Sequence, residues 1–448
     1  MTTTSAIASR LSLSSTDEKT GLGNYFIANY PPFSLWKPDY IPAAEVALSQ
    51  TPKKEIPLGL YVHIPFCRKR CKFCYYRVYT DKNARQIEEY LEGLFREIDL
   101  YSRQPALQGR PLDFVYFGGG TPSYLSVRQL RDLFGELKRF FSWDNIQEVT
   151  FECEPGTLQK QKLEALRELG VTRLSIGVEN FNDAILEENG RAHHAAEIFR
   201  AYHWAKELAF PQINIDLIAG MVGETWDNWR ECVQQALALQ PDSITIYQME
   251  LPYNTEYSKA ARSGQPLPFN LADWPTKRAW VDYAFNEFIA AGYEISSAYT
   301  VVRDKQRVRF LYRDALWHGA DLVGTGVASF GHIGGVHVQN QTEWDSYLGP
   351  LQEGRLPFYR AYACTPLELC IREFILQLKT GNVALDYFRN KFGENLTLRF
   401  GEELAWLQSE GYLDYSDKEI ILTRRGLLQV DRLLPVFFLP QHRTSRYT

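Results

Sequence analysis

Long apolar runs are missing: nothing in the 448 residues approaches the ~20 consecutive apolar residues of a membrane-spanning helix. No membrane span is expected. A strong charge of either sign is missing too, with 49 Lys and Arg against 54 Asp and Glu, net −5 and a pI of about 6.0. Neither nucleic acid nor an anionic membrane is therefore expected as the main partner. Cysteine is scarce, and its count of seven is odd, which argues against a disulfide framework. The first twenty residues have no apolar segment of the kind a secretory signal needs. They are rich in Ser and Thr, with Arg10 and no acid before Asp17, and are expected to be a disordered tail. No internal repeat of about 20–50 residues is visible. What remains is an ordinary globular composition, 45% hydrophobic and 23% charged. The length allows two or three domains, or one large barrel with appendages.

Three of the cysteines stand together, in Tyr-Val-His-Ile-Pro-Phe-Cys67-Arg-Lys-Arg-Cys71-Lys-Phe-Cys74. The spacing is C-x3-C-x2-C. Thiolates this close on one loop can hold three irons of a [4Fe–4S] cluster, which normally takes four cysteines. No fourth cysteine lies near, so one iron would stay open for a ligand. That is the arrangement a radical S-adenosylmethionine (SAM) enzyme needs: the open iron chelates SAM, and an electron splits its sulfonium to give a 5′-deoxyadenosyl radical. A zinc site would show a second Cys pair or paired His. A redox C-x2-C reading of Cys71 and Cys74 leaves Cys67 unexplained. Cys153, Cys232, Cys364 and Cys370 fall in apolar or helical contexts and read as core residues or bystanders. An exposed cluster needs a reducing compartment, so the cytoplasm is expected.

Short apolar strands alternate with amphipathic helices from residue 58 to about 290. The strands are predicted at 58–63, 113–117, 148–153, 173–178, 212–218 and 243–248. Between them Ile87, Leu91, Leu94, Phe95 and Ile98 recur on one helical face, as do Val127, Leu130, Leu133, Phe134 and Leu137. This alternation predicts a parallel sheet in an α/β fold. Six units predict an open (β/α)6 partial TIM barrel, with its site at the C-terminal strand ends. Residues 272–300 predict a helix ending at Gly292 and a strand through Ile295. Residues 310–347 are Gly-rich and strand-like, expected against the barrel's open side. From Thr365 the order helix, helix, helix, strand pair (around 412–414 and 420–422) predicts a C-terminal winged-helix-like domain. Residues 361–440 carry nine Lys/Arg against eleven Asp/Glu, a poor footprint for phosphate. That domain is therefore read as a lid or packing module. The expected division is a tail 1–20, an N-terminal arm 21–56 covering the active site, a core 57–300, a barrel-capping extension 301–357, the winged helix 358–440 and a tail 441–448.

The cysteine loop and four further segments resemble, in order, the oxygen-independent coproporphyrinogen III dehydrogenase (HemN-like) branch of the radical SAM superfamily. They are Tyr61-Val-His-Ile-Pro-Phe-Cys, Gly118-Gly-Gly-Thr-Pro, Phe151-Glu-Cys-Glu-Pro, Ser175-Ile-Gly-Val-Glu-Asn-Phe with Arg191 beyond it, and Asn214-Ile-Asp-Leu-Ile-Ala-Gly. The resemblance covers roughly residues 25–440. It implies Cys67, Cys71 and Cys74 as iron ligands. It implies a SAM site formed by Gly119, Gly120 and Thr121 at the amino group, Glu152 at the methionyl or ribose part, Arg191 at the carboxylate and Asp216 at the ribose hydroxyls. Glycines let a backbone approach a ligand, a guanidinium fork suits a carboxylate, and a carboxylate accepts from both hydroxyls of a diol. Tyr61 and Glu179 are the candidate catalytic residues, Glu179 standing where the family usually has Gln.

Asn24-Tyr-Phe-Ile-Ala-Asn-Tyr-Pro-Pro-Phe-Ser resembles the arm that covers the site in the coproporphyrinogen enzymes. Related haem chaperones carry a His-Asn-x-x-Tyr-Trp motif, where this chain has Tyr312-Arg-Asp-Ala-Leu-Trp-His-Gly, so haem delivery is disfavoured. The dehydrogenases often have Cys-Gly-Cys where this chain has Cys74-Tyr-Tyr-Arg. Two activities follow from the resemblance. One is oxidative decarboxylation of coproporphyrinogen III; the other is methylation or cyclopropanation of an sp2 carbon of a non-porphyrin substrate, with a second SAM. The expected partners are a tetrapyrrole or other unsaturated metabolite and a flavodoxin- or ferredoxin-type electron donor, with the protein a monomer. His332 and His337 read as surface or core histidines, and Tyr247–Asn254 and Phe330–Gln341 as pocket-shaping segments.

Overall fold

The computed structural model describes residues 18–264, 271–443 and 445; most of the expected N-terminal tail and part of the C-terminal one lie outside that range. Six parallel strands run in sequence order across the middle of one sheet: β1 (Leu58–Ile64), β2 (Phe114–Gly119), β3 (Glu148–Cys153), β4 (Arg173–Glu179), β5 (Gln212–Ala219) and β6 (Ser243–Gln248). Each falls where the sequence predicts it, within one or two residues. They are almost continuously buried, as strands covered on both faces must be.

The connecting helices cover the outer face. Helix Ala84–Ser102 starts at a reciprocal cap between Asn83 and Gln86 and buries Ile87, Leu91, Leu94 and Ile98, with Phe95 half-buried beside them. Helix Val127–Phe140 repeats the device with Ser126 and Gln129 and buries Leu130, Leu133, Phe134 and Leu137 completely. These stripes meet Leu60, Val62, Ile64, Val115 and Phe117 in one core.

Both edges of the six-stranded unit are extended. Beside β6 lie β7 (Glu294–Ile295) and β8 (Thr300–Val302), both antiparallel to their neighbours. Beside β1 lies β9 (Asp321–Thr325), parallel to it, then β10 (Phe330–Ile333), β11 (Val336–Asn340) and β12 (Phe358–Ala363), giving twelve strands in all. The stretch 310–347 meets the open barrel at its free edge strand β1. It opens with helix Leu311–Trp317 and then joins the sheet edge to edge, satisfying the open backbone groups of β1. One buried ion pair fixes that join: Arg110 Nη1 donates to Asp321 Oδ2 at 2.8 Å and its other nitrogen to Ile56 O, while Asp321 Oδ1 accepts from Gly334 N.

The C-terminal part has its own core. Helix Pro366–Leu378 is buried nearly all round, helices Leu385–Phe392 and Gly401–Ser409 follow, and β13 (Asn382–Ala384), β14 (Leu413–Tyr415) and β15 (Glu419–Leu422) form a small wing in the order β13-β15-β14. Ile27 and Tyr30 of the N-terminal arm are buried in this core with Phe374, Phe437 and Phe438. The arm is thus built into the C-terminal part rather than resting on it.

Removing one partner of a buried ion pair leaves the other charge uncompensated, at a cost of about 3–5 kcal/mol. Arg110→Ala should therefore lower the urea midpoint markedly, whereas the exposed Arg131→Ala, which loses only the pair with Glu168, should shift it little. Equal midpoints for the two variants would show that the join of β9 to β1 does not depend on Arg110.

Candidate cofactor site and cavity

At the C-terminal ends of the parallel strands lies a cavity of about 720 Å3. The cysteine loop follows β1 and is held by Cys67 N to Tyr79 O and Cys74 N to Cys71 O, each 3.0 Å. Thr121 Oγ1 donates to Cys67 Sγ and Arg191 Nη1 to Cys71 Sγ, both at 3.3 Å. Burial pushes the Cys67 thiol up to about 11 and Cys74 up to about 12, and Cys71 beside them adds to both shifts. Iron reverses this, because a coordinating thiol is deprotonated outright. Among the described residues no three His, Cys, Asp or Glu side chains gather tightly enough to hold one metal ion. A cluster presents its irons at separate corners, so its three ligands need not converge on a point.

The turn after β2 forms the opposite lip. A Cβ on Gly120 would sit 2.8 Å from the Pro65 carbonyl carbon and 2.9 Å from Ile64 O, and one on Gly119 (φ +111°) would strike the His63 ring. Only glycine permits this close passage of two backbones. Glu152, at the end of β3, accepts from Tyr116 Oη at 2.6 Å and from Gly119 N at 3.1 Å. Burial, with Asp216 nearby, pushes it up to about 7. Asp216, near the end of β5, accepts from Ser175 Oγ and Asn214 Nδ2, both at 2.9 Å, which leaves each oxygen a further lone pair. Burial raises its pKa as well.

Arg191 lies between these groups. It donates to Cys71 Sγ and, at 2.7 Å, to Gly177 O, and stands 3.5 Å from Glu179. Its buried Nε has no hydrogen-bond acceptor among the described residues. Glu179 has φ +64°, at a break in the β4–β5 register. Glu179 lines the cavity. Burial lifts it to about 7 against the pull of Arg191.

The structure thus brings Cys67, Cys71, Cys74, Gly119, Gly120, Thr121, Glu152, Glu179, Arg191 and Asp216 onto one wall. Tyr61 is the exception: it is not on the cavity wall. It pairs in register with Tyr116, a layer below the strand ends, stacks on that ring at 5.9 Å and bonds His63 Nδ1 at 3.1 Å. A direct meeting with ligand is therefore replaced by support of Tyr116, which holds Glu152.

Several residues were missed. Glu154 sits in the quoted Phe151-Glu-Cys-Glu-Pro segment and was legible there. Burial opposes its charge, but hydrogen bonds from His193 and Arg68 pull it down to about 2. Glu250 follows β6 and accepts from Tyr25 N at 3.0 Å. Asp431 accepts from Ile27 N at 2.8 Å and comes from the C-terminal part, where no local pattern marks it.

The sequence matches the Radical SAM superfamily over residues 61–236, the span that carries every cofactor candidate above. Residues 61–236 form a radical SAM domain. The heme chaperone HemW of Bacillus subtilis is 28% identical over 384 residues, 84% of this chain and 98% of its own. The oxygen-independent coproporphyrinogen III oxidase of Escherichia coli is 29% identical over 408 residues, 86% of each chain. The solved structure of coproporphyrinogen III oxidase (HemN) from Escherichia coli, described as a radical SAM enzyme, superimposes with a TM-score of 0.80 at 26% identity. The match covers 92% of this chain and 96% of that one. The cofactors are accordingly a [4Fe–4S] cluster and SAM, and the donor set fits them: three thiols, a glycine cradle, one unspent guanidinium N–H and carboxylates with spare lone pairs.

An acid raised by burial is protonated in the fold and ionised when unfolded, so it costs stability as pH rises between the two values, here about 4.5 and 7 for Glu179. Glu179→Gln should raise the Tm of the cofactor-free protein at pH 8 and change it little at pH 5. A thermal scan that gives the same shift at both values would show that Glu179 carries no burial cost.

Proposed function

We propose that this chain is a radical SAM oxidoreductase that removes hydrogen from a side-chain carbon of a carboxylate-bearing, unsaturated substrate, in the manner of coproporphyrinogen III oxidative decarboxylation. Cys67, Cys71 and Cys74 would hold three irons and leave the fourth to the amino and carboxylate groups of SAM. Bound there, the pair supplies a 5′-deoxyadenosyl radical on receipt of an electron from a flavodoxin- or ferredoxin-type donor. Gly119–Thr121 and Arg191 orient the methionyl end, and Asp216 takes the ribose. Hydrogen leaves a propionate carbon, the bond to the carboxylate breaks, carbon dioxide departs, the leftover electron passes to an acceptor, and a vinyl group remains.

The observation that carries this reading is the arm. Asn24, Tyr25, Phe26, Ile27 and Ala28 line the same cavity as the three cysteines. Tyr25 packs edge-on against Trp274 at 4.7 Å and Phe26 against Tyr299 at 5.2 Å. A carbon radical demands protection from water, and the arm is placed to supply part of it. Arg278, Arg432 and Arg443 also line the cavity, paired with Glu18 and Glu403, and a carboxylate-bearing substrate would share them with those partners. Against haem delivery, the stretch from Tyr312 is spent on packing. Tyr312 lies 4.4 Å from the Tyr116 ring, and the backbone N–H groups of Leu311 and Tyr312 donate to Glu148. Methyl transfer is the second reading, favoured by Tyr75 and Tyr76 where the dehydrogenases often have Gly-Cys.

Anaerobic turnover of coproporphyrinogen III by the reconstituted protein should release carbon dioxide without S-adenosylhomocysteine. The reverse product pair, with any unsaturated substrate, would move the assignment to methyl transfer. Tyr25→Ala with Phe26→Leu, which spares Ile27 and Tyr30 in the C-terminal core, should uncouple the reaction: 5′-deoxyadenosine still forms while decarboxylated product falls. Product yield that survives the change would remove the arm from the mechanism.

A further inference from the structure

Four large aromatic side chains of the cavity wall keep much exposed area, Tyr25 of the arm (39%) and three others. Tyr75 is 42% exposed, Tyr76 46% and Tyr247 42%, and all three line the cofactor cavity. Tyr75 and Tyr76 directly follow Cys74. Their rings stack at 4.6 Å with 26° between planes, and their hydroxyls are 3.4 Å apart. The backbone beneath them is fixed: Asn254 Nδ2 donates to Tyr75 O at 2.5 Å, and Arg70 donates to both Cys74 O and Asn254 O. Tyr247 stands near the end of β6, within electrostatic reach of Asp216, Glu152, Glu179 and Tyr75. The exposed ring faces therefore look into the space beside the cofactor residues. The stack spends one face of each ring on the other and leaves the two outer faces for a further ring.

We propose that Tyr75 and Tyr76, with Tyr247, form the platform that takes the flat unsaturated ring of the substrate and so set its position relative to the cofactor. The inference rests on the functional reading above only in that the substrate carries such a ring. Ring faces attract one another in offset or edge-on stacks, and a pre-stacked pair loses little freedom when a third ring joins it. These are positioning residues, since they touch substrate without exchanging hydrogen with it. Their place directly after Cys74 also explains why a Gly-Cys pair is not needed there: the segment that follows the third ligand is given over to recognition.

The test uses anaerobically reconstituted, SAM-loaded protein and two fluorescent probes, coproporphyrin III and indole-3-propionate, with binding read by fluorescence titration. The Tyr75→Leu/Tyr76→Leu pair should weaken ring binding by about tenfold or more, and Tyr75→Phe/Tyr76→Phe should stay within about threefold of the parent, with iron content and SAM affinity equal in all. Should the leucine pair lose iron, Tyr247→Leu, remote in sequence from the cysteines, carries the same expectation. Weakened SAM binding with ring binding unchanged would assign the platform to the cofactor and overturn the proposal. Unchanged ring binding in the leucine variants, or no ring binding by the parent, would overturn it as well. Platform-dependent binding of indole-3-propionate without coproporphyrin III would uphold the platform while removing the tetrapyrrole from the functional reading.

Discussion

The ammonium of Lys379 has no exposure to water, and three parts of the chain meet on it. It lies 2.7 Å from Asp431, donates to Ile27 O at 2.5 Å, and sits 4.0 Å over the Phe26 ring and 5.3 Å over Tyr299. Asp431 in turn accepts from Ile27 N and from Tyr299 Oη. The arm, the barrel's end and the C-terminal part thus share one buried charge pair. A buried ammonium is tolerated only with its partners in place, so none of the three can withdraw without stranding a charge. The position of the arm on the cavity wall depends on this node. A second buried lysine acts further along the arm: Lys277 Nζ donates to Thr20 Oγ1 and Met249 O, each at 2.7 Å.

The same economy of charge governs the cavity floor. Glu152, Glu179 and Glu250 are each lifted to about 7 by burial, and Asp216 is raised too. A floor so rich in carboxyls and so poor in water is costly for the chain alone. It suits a ligand that carries positive charge, and the sulfonium of SAM is one. Cys67 and Cys74 follow the same logic, being held protonated by burial until a metal replaces the proton. The site is thus a set of groups whose ionisation is disfavoured by burial while no cofactor is bound.

How much of this was legible in the sequence follows from where each signal is local. The six parallel strands were, because strands buried on both faces read as short apolar runs, and the helices between them repeat at 3.6 residues. Cys67, Cys71 and Cys74 were, because one loop holds all three. The sheet edges were not: Asp321 meets Arg110 across 211 residues, and no pattern within 310–347 says that β9 runs parallel to β1. Tyr61 was a candidate from its place just before the cysteine loop, and only the fold shows that its ring packs on Tyr116 and not on the cavity wall. Asp431 and Glu250 were missed because an isolated acid is meaningless until the fold supplies Ile27 and Tyr25 opposite it.

Glu179 shows what one substitution within a shared fold does to the chemistry around it. An amide there would leave Arg191 to Cys71, Gly177 O and an incoming carboxylate. A glutamate is a fourth claimant on the same guanidinium. The arriving carboxylate of a ligand brings a second negative charge to Arg191 and drives Glu179 toward its protonated form, by like-charge repulsion in a site that already raises it to about 7. Near neutral pH that protonation is cheap. Carboxylate binding at Arg191 is then coupled to uptake of one proton by Glu179, and the protonated side chain becomes a donor facing the cavity instead of a charge. Glu179 shares its strand face with Ser175 and Gly177, which also line the cavity, and stands 3.5 Å from Arg191, so the coupling is direct.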